Sequence, residues 1–376
     1  MNTNPFILIP YKGKELFCDR KNELNNLVAM VQNNENITLI SPRRYGKTGL
    51  IYRLFDEIET QGLNIATYYI DIFSSQNLDG FIKLLTEALT KSLEKEPLIK
   101  RFFSSLGNLR PLISYDPITG TPEITLTWRS QQEQQLTLKN ILEYLDQQGR
   151  PVILAIDEFQ QVREYEDCNM EALLRTYIQP LKNVHFIFCG SKKHVMIDMF
   201  SNAKKPFYES TSILFLDKIE TTLYIEFIRK IFNDNKRTID EEVVQWIVTW
   251  TYRHTYYTQY LCHRIFMLPQ KHITLEDAYS TALAILKEQE TSFLEIRSLL
   301  TPGQWNYLKA IAKEENLTQP LASSFLSKYK IPTASGAKRA LTALIDKELI
   351  LVNNTLEGKS YRLYNVFLSR WMERFL

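Results

Sequence analysis

The sharpest chemical signal in the chain is the run Ser41-Pro42-Arg43-Arg44-Tyr45-Gly46-Lys47-Thr48. A glycine, a lysine and a hydroxyl residue follow one another behind a short β-branched stretch and ahead of an amphipathic one. That context describes a loop that wraps phosphate groups. Gly46 permits the tight turn that aims successive N–H groups into one concave anion nest. A helix starting there adds its positive dipole end beneath the phosphates. Lys47 is placed to reach β- and γ-phosphates, and the Thr48 hydroxyl is a ligand for Mg2+. The expected nucleotide contacts are therefore Pro42, Arg43, Arg44, Tyr45, Gly46, Lys47, Thr48 and Gly49. Side chains at the two arginine positions usually point outward, so packing or a partner is an equal reading for Arg43 and Arg44. Ser41 stands where the pattern G-x-x-x-x-G-K-[ST] has its first glycine.

A second signal lies downstream, in Pro151-Val-Ile-Leu-Ala-Ile-Asp-Glu158. A strand buried on both faces delivers its last residues to the carboxyl edge of a sheet, where α/β proteins bind ligands. Asp157 there is a candidate to hold Mg2+ through water, and Glu158 to polarise the water that attacks a γ-phosphate. The competing readings are a solvent-exposed acid pair and an N-cap for the next helix. Another apolar run, His185–Cys189, ends in Gly190-Ser191. Ser191 at that edge is a candidate to orient the water or sense the phosphate, or is simply a small polar residue ending a strand.

Elements must bring these residues together. Five short apolar runs read as buried strands: Ile37–Ile40, Ile65–Ile70, Val152–Ile156, Val184–Cys189 and Ile213–Leu216. They alternate with amphipathic helices such as Leu50–Glu59 and Leu78–Leu93, which predicts an α/β fold with a parallel sheet. Leu109–Trp128 alternates around a turn rich in Asp, Pro and Gly, and predicts an inserted β-hairpin. From about Leu216 to Glu290 the pattern is helical only, with Thr274 and Asp277 spaced as a helix start. Ser298–Leu376 predicts three short helices (Pro302–Lys313, Pro320–Tyr329, Ser335–Lys347) and a strand–turn–strand wing. The expected domains are a core over 1–216 with the hairpin at about 109–128, a helical lid over 217–292, and a winged-helix-like domain over 293–376.

Composition narrows the class. With 45 basic and 43 acidic residues the net charge is +2, which excludes a strongly basic nucleic-acid coat protein. The four cysteines are scattered and form neither a disulfide framework nor a zinc set. No run approaches a membrane span, and the first residues do not read as a signal peptide. A cytoplasmic protein without membrane partners is the expectation.

Together these residues resemble the archaeal-type ATPase family, a branch of the AAA+ and STAND-like P-loop ATPases. Phe17-Cys-Asp-Arg20-Lys-Asn-Glu23-Leu24 is similar to that family's F-x-G-R-x-x-E-L opening, with Asp19 in place of the glycine. Ser41–Thr48 is close to its G-P-R-R-x-G-K-T loop. Asp71, Asp157-Glu158 and Gly190-Ser191 follow in the family's order. The resemblance implies a five-stranded sheet of order 5-1-4-3-2, counting core strands along the chain, an all-α lid, ATP as nucleotide, and Arg20 near the adenine. The chain departs from the family in Pro206-Phe-Tyr-Glu-Ser210, where Ser210 replaces an arginine, and in Tyr252–Tyr256, which lacks the lid's Gly-x-Pro turn. Arg253 or His254 is a candidate there to approach phosphates, though a lone His in a helical domain is more often structural, and Arg163 and Arg175 are weak candidates to serve a neighbouring subunit.

The expected activity is ATP binding and hydrolysis coupled to conformational change. The alternative is a nucleotide-gated DNA- or protein-binding switch with little hydrolysis. Ser298–Leu376 carries 11 Lys and Arg against 6 Asp and Glu, a local +5. Lys338 and Arg339 lie early on its third helix, where a recognition helix meets DNA. A solvated basic face, or a protein partner or second copy, is the competing expectation.

Overall fold

The structure, a computed structural model, describes residues 4–93, 101–104, 112–115, 122–125, 127–314, 317–355 and 358–376 of the 376-residue chain. It divides into two compact units: Ile9–Lys218, and Ile219–Leu376 together with the N-terminal residues up to Leu8.

The first unit is built on a parallel sheet. Its strands are β1 (Ile37–Ile40), β2 (Ala66–Asp71), β5 (Val152–Asp157), β6 (Val184–Gly190) and β7 (Ser212–Phe215), in the order β2-β5-β6-β1-β7. Counting only these five, the order is 5-1-4-3-2 read from the β7 edge, as the family resemblance implies. Every residue of β1, β5 and β6 is buried, which explains their unbroken apolar runs. Alternate residues serve opposite faces. Leu154 and Ile156 pack in one cluster with α3 (Leu78–Ser92), α4 (Gln131–Asp146), α5 (Met170–Ile178) and α6 (Lys193–Ser201). Ile153 and Ala155 pack with α1 (Lys21–Gln32) and α2 (Lys47–Thr60). Under the carboxyl edge, Phe159, Phe188, Phe200 and Phe207 form a ring cluster with centroids 4.5 to 5.9 Å apart. Each such burial is worth about 2–3 kcal/mol, enough to fix the height of that edge.

Strand ends differ from the sequence reading by one residue. β5 runs through Asp157 and β6 through Gly190, so both sit within the ladder. Register places Asp71 beside Asp157, and Ile40 beside Gly190. Helix α2 begins at Lys47, three residues before the predicted Leu50, because the loop's glycine caps it directly. The hairpin exists as β3 (Leu112–Tyr115) against antiparallel β4 (Pro122–Thr125). Its expected Asp-Pro-Gly turn lies outside the described residues.

The second unit contains α7 (Thr221–Asp234), α8 (Glu241–Trp250), α9 (Thr255–Phe266), α10 (Leu275–Glu288) and α11 (Glu290–Ser298). Helix α10 opens on a reciprocal capping box between Thr274 and Asp277, as the spacing predicts. The expectation of helices alone is corrected by a short parallel ladder, β8 (Thr238–Ile239) with β9 (His272–Ile273). Two-residue strands leave no readable period.

The C-terminal part of this unit comprises α12 (Pro302–Ala312), α13 (Ser323–Lys328) and α14 (Ala334–Asp346). Antiparallel β10 (Ile350–Thr355) and β11 (Gly358–Leu363) follow. A last helix, α15 (Val366–Phe375), was not anticipated; Asn365 caps it and Val366, Phe367, Trp371 and Met372 are buried. Phe6 joins this unit, with ring centroids 5.3 Å from Phe232 and 5.9 Å from Phe266.

Candidate nucleotide site

The phosphate loop bridges β1 and α2. Arg44 (φ 62°) and Gly46 (φ 95°) are its left-handed residues among 41–48. Ser41 does not adopt that conformation, so the missing first glycine brings no backbone penalty. Its N–H donates to Gly190 O at 3.2 Å and its hydroxyl to Pro42 O at 3.1 Å. Gly49 is required for space, since a Cβ there would lie 3.2 Å from the Phe17 ring and overlap the Pro10 carbonyl.

Residues in the three stretches that depart from the family pattern adopt the same left-handed geometry. They are Asp19 (φ 51°), Glu209 (φ 50°) and the pair Tyr252 and Arg253 (φ 54° and 56°). A side chain in that region costs roughly 1–2 kcal/mol, so the surrounding fold imposes these turns.

The start of α2 and the ends of β2 and β5 converge on one carboxylate. Asp157 is 3% exposed, yet all four of its acceptor positions are filled. Oδ1 accepts from the Lys47 ammonium at 2.8 Å and from the Glu158 N–H at 2.9 Å. Oδ2 accepts from the Thr48 hydroxyl at 2.8 Å and from the Tyr69 hydroxyl at 2.9 Å. Burial alone would raise the Asp157 pKa, but the Lys47 charge and these donors hold it below the usual carboxylate value. For Lys47, 6% exposed, burial works downward and is outweighed by Asp157 and Glu158, leaving its pKa raised. The pair is therefore charged. Asp71 shifts the other way, raised by burial and by repulsion from Asp157 and Glu158.

Glu158 occupies a left-handed conformation (φ 55°). It makes no side-chain cap on the short helix that follows, which answers the N-cap reading. Instead Oε2 accepts from the Ser191 hydroxyl at 2.7 Å and from the Gln160 amide. Oε1 lies 3.7 Å from the Lys47 ammonium. Gln160 completes a ring by accepting from the Ser191 N–H at 3.3 Å.

Lys47, Thr48, Asp157, Glu158 and Ser191 thus meet in one place. Arg20 is buried, bonded to Glu23 at 2.9 Å and to the Tyr45 carbonyl at 3.4 Å, so it braces the loop. The Arg43 guanidinium stacks 5.3 Å from the centre of exposed Phe73, Arg44 is exposed, and the Tyr45 ring is buried.

Sequence reasoning missed Tyr69 and Gln160. Tyr69 sits in the alternating strand ATYYID, one of several equivalent tyrosines, and Gln160 follows the acid pair without a spacing rule to mark it. Of the alternative cations, Arg163 is paired with Glu171 at 3.4 Å and Asp198 at 3.0 Å. Ser210 closes its own turn through Phe207 O at 2.7 Å. In the second unit, Arg253 donates to Thr221 at 3.2 Å, and His254 packs edge-on to Tyr257 at 4.6 Å.

The donor set suits Mg2+. Thr48 Oγ1 and Asp157 Oδ2 are adjacent hard oxygens of the kind that bind this ion alongside phosphate and water. Among the described residues no group of three or more His, Cys, Asp or Glu is arranged to hold a metal.

A parallel sheet of this order, a glycine-lysine-threonine loop at its first helix and acids ending the third core strand define a P-loop ATPase. Residues 17–252 match the family described as an ATPase domain predominantly from Archaea, and the chain belongs to it. Residues 291–374 match a probable winged helix domain. No curated protein matches the sequence. Among solved structures, a Walker-type ATPase of Pyrococcus abyssi is similar at TM-score 0.67 and 17% identity, covering 98% of this chain and 99% of that one. The Aeropyrum pernix ORC2 protein, in ADPNP–ADP complexes, matches at TM-score 0.58 and 13% identity over 94% and 92%. The Aeropyrum pernix ORC1 protein, in complex with DNA, matches at 0.54 and 14% over 99% and 96%. Identities this low establish a shared fold.

Proposed function

We propose that the chain binds ATP with Mg2+ and hydrolyses it, and that binding and turnover drive a change of shape. The observation that carries this reading is the Lys47–Asp157–Thr48 network with Glu158 held beside it. In this arrangement the Lys47 charge is stored on Asp157. On nucleotide binding Lys47 would transfer its hydrogen bonds to the β- and γ-phosphate oxygens, and Thr48 and Asp157 are the residues that would hold Mg2+, which would supply charge neutralisation at the phosphates. Glu158 Oε1 accepts a proton from the attacking water, and Ser191 orients the carboxylate through Oε2. The phosphate-loop N–H groups and the start of α2 stabilise the phosphates. Arg20 and loop residues 42–49 complete the assigned contacts.

Nucleotide binding and phosphate release with Mg2+, compared between wild type and Glu158→Gln, test this directly. Tight binding with turnover abolished in the variant is the expected result. A variant that releases phosphate at the wild-type rate removes Glu158 from its role.

One observation favours a second reading, a nucleotide-gated switch with little intrinsic hydrolysis: Ser210 stands where the family resemblance expects a catalytic arginine. Binding without turnover in either protein selects it. We further assign residues 217–292 as a lid and 293–376 as a winged-helix domain of a cytoplasmic protein. DNA is the proposed partner of the latter, through exposed Lys338 and Arg339 on α14. The ORC1 relative's complex with DNA and the local basic excess support that assignment; a protein partner or second copy is the competing occupant.

A further inference from the structure

Gln160 is a buried polar residue at the reaction edge that the ATP mechanism leaves without a role. It is 4% exposed, and both ends of its amide are engaged. The NH2 donates to Glu158 Oε2, and the oxygen accepts from the Ser191 N–H at 3.3 Å. Space for it is reserved by Gly190, where a Cβ would come 2.6 Å from Gln160 Oε1 and overlap Met196. The Ser191 hydroxyl binds the same Glu158 oxygen at 2.7 Å. Two donors thus converge on Oε2, and one amide joins the backbone of Ser191 to the side chain of Glu158.

We propose that Gln160 is a positioning residue for hydrolysis: its amide locks Glu158 through Oε2, so that Oε1 is the oxygen presented to water, and it makes Glu158 and Ser191 move as a unit. This rests on the reading of Glu158 as the water-activating group. The chemistry is simple. A carboxylate on a flexible stem samples several rotamers, and only those aimed at the attack line are useful. Anchoring one oxygen by two donors removes that freedom and leaves the other free to accept a proton. The same link gives Ser191 a second grip on Glu158 beyond its own hydroxyl. Displacement of Ser191 by a phosphate therefore turns Glu158 with it.

The test uses the full-length protein and Mg-ATP. Gln160→Met keeps the length and the packing against Gly190 and removes both hydrogen bonds. Gln160→Glu keeps the acceptor for the Ser191 N–H but replaces the donor by a like charge. Gln160→Met is expected to lower kcat at least about tenfold, the scale of one hydrogen bond to a charged group, with KM and ATP affinity within about twofold. Gln160→Glu is expected to lower kcat further. Added to Glu158→Gln, and followed by single turnover with radiolabelled ATP, Gln160→Met is expected to slow the residual rate no further.

ATP affinity and thermal unfolding report whether each variant is folded. Wild-type kcat in folded Gln160→Met and Gln160→Glu overturns the proposal. So does an equal further loss in the Glu158→Gln background, or a rise in KM that matches the fall in kcat. Absence of phosphate release by the wild type is a different failure: it removes Glu158 as the base, and the positioning role with it. An active wild type with an unaffected Gln160→Met removes the positioning role alone.

Discussion

The two basic groups of this protein obey different rules. At the carboxyl edge of the sheet, Lys47 is buried and bound to a buried acid, so its place is dictated within a few tenths of an ångström. On α14, Lys338 and Arg339 are exposed, while the buried face is Ala337, Leu341 and Leu344. Other cations of the C-terminal segment serve its own fold. Arg362 and Arg370 lie 4.5 and 4.2 Å from the centre of the Tyr252 ring, and Lys328 pairs with Glu314 at 2.7 Å. A buried charge must have a partner, so its partner reveals its chemistry. An exposed charge is satisfied by water and reveals only an option. The nucleotide site is therefore the better-defined half of the molecule.

That contrast can be broken most severely at Lys47 and Glu158. Lys47→Ala is expected to abolish ATP binding in an isothermal titration. Glu158→Gln is expected to leave binding intact and reduce phosphate release about a thousandfold, the middle of the range for losing a general base. Normal turnover in either would place the chemistry elsewhere.

Next in size is the exposed half. Lys338→Glu with Arg339→Glu is expected to weaken retention of duplex DNA by about ten- to a hundredfold and to lower the salt dependence by about one unit per lost phosphate contact. ATP turnover without DNA should not change. DNA retention that is absent, or insensitive to salt, in the wild type would assign α14 to a protein partner.

Packing comes third. Gly190→Ala forces Met196 and Gln160 to move, and is expected to destabilise the first unit by about 1–3 kcal/mol in urea unfolding and to slow turnover. Tyr69→Phe removes one of four donors to Asp157 and is expected to cost about 1–2 kcal/mol without loss of fold. A larger loss on the exposed α14 than at Gly190 would reverse the comparison.

The smallest effect is a pH dependence. The folded pKa of Asp157 lies below its ordinary 3.8, so its contribution to stability is full above that value and is lost as pH falls through the depressed one. Asp71 runs oppositely. Its folded pKa lies above 3.8, so its contribution is present below that value and lost as pH rises through the raised one. Urea midpoints across the acid range should show Asp157→Asn flattening the acid limb and Asp71→Asn flattening the upper one. Unchanged limbs would contradict the charge assignments.

Much of this is legible in the sequence. The phosphate loop is contiguous, and its strand–loop–helix setting is written in local apolar patterning. The acid pair ends a continuous hydrophobic strand, which places it at the sheet edge by geometry alone. Strand ends, by contrast, moved by one residue, because the ladder, not propensity, decides where pairing stops. The β8–β9 ladder escaped for a related reason: two-residue strands carry no period.

The sequence by itself determined which residues carry charge and hydroxyls, and that they fall at loop and strand ends able to meet phosphate. Only the tertiary structure decided their partners. Thr48 and Tyr69 reach Asp157 across 109 and 88 residues, and Ser191 reaches Glu158 across 33. It also decided which glycine positions matter. Ser41 sits in ordinary backbone, whereas Glu209 holds a left-handed turn that its type does not favour. Local composition sets what a side chain can bond to. Burial in a packed sheet edge, where no water can substitute, sets what it must bond to.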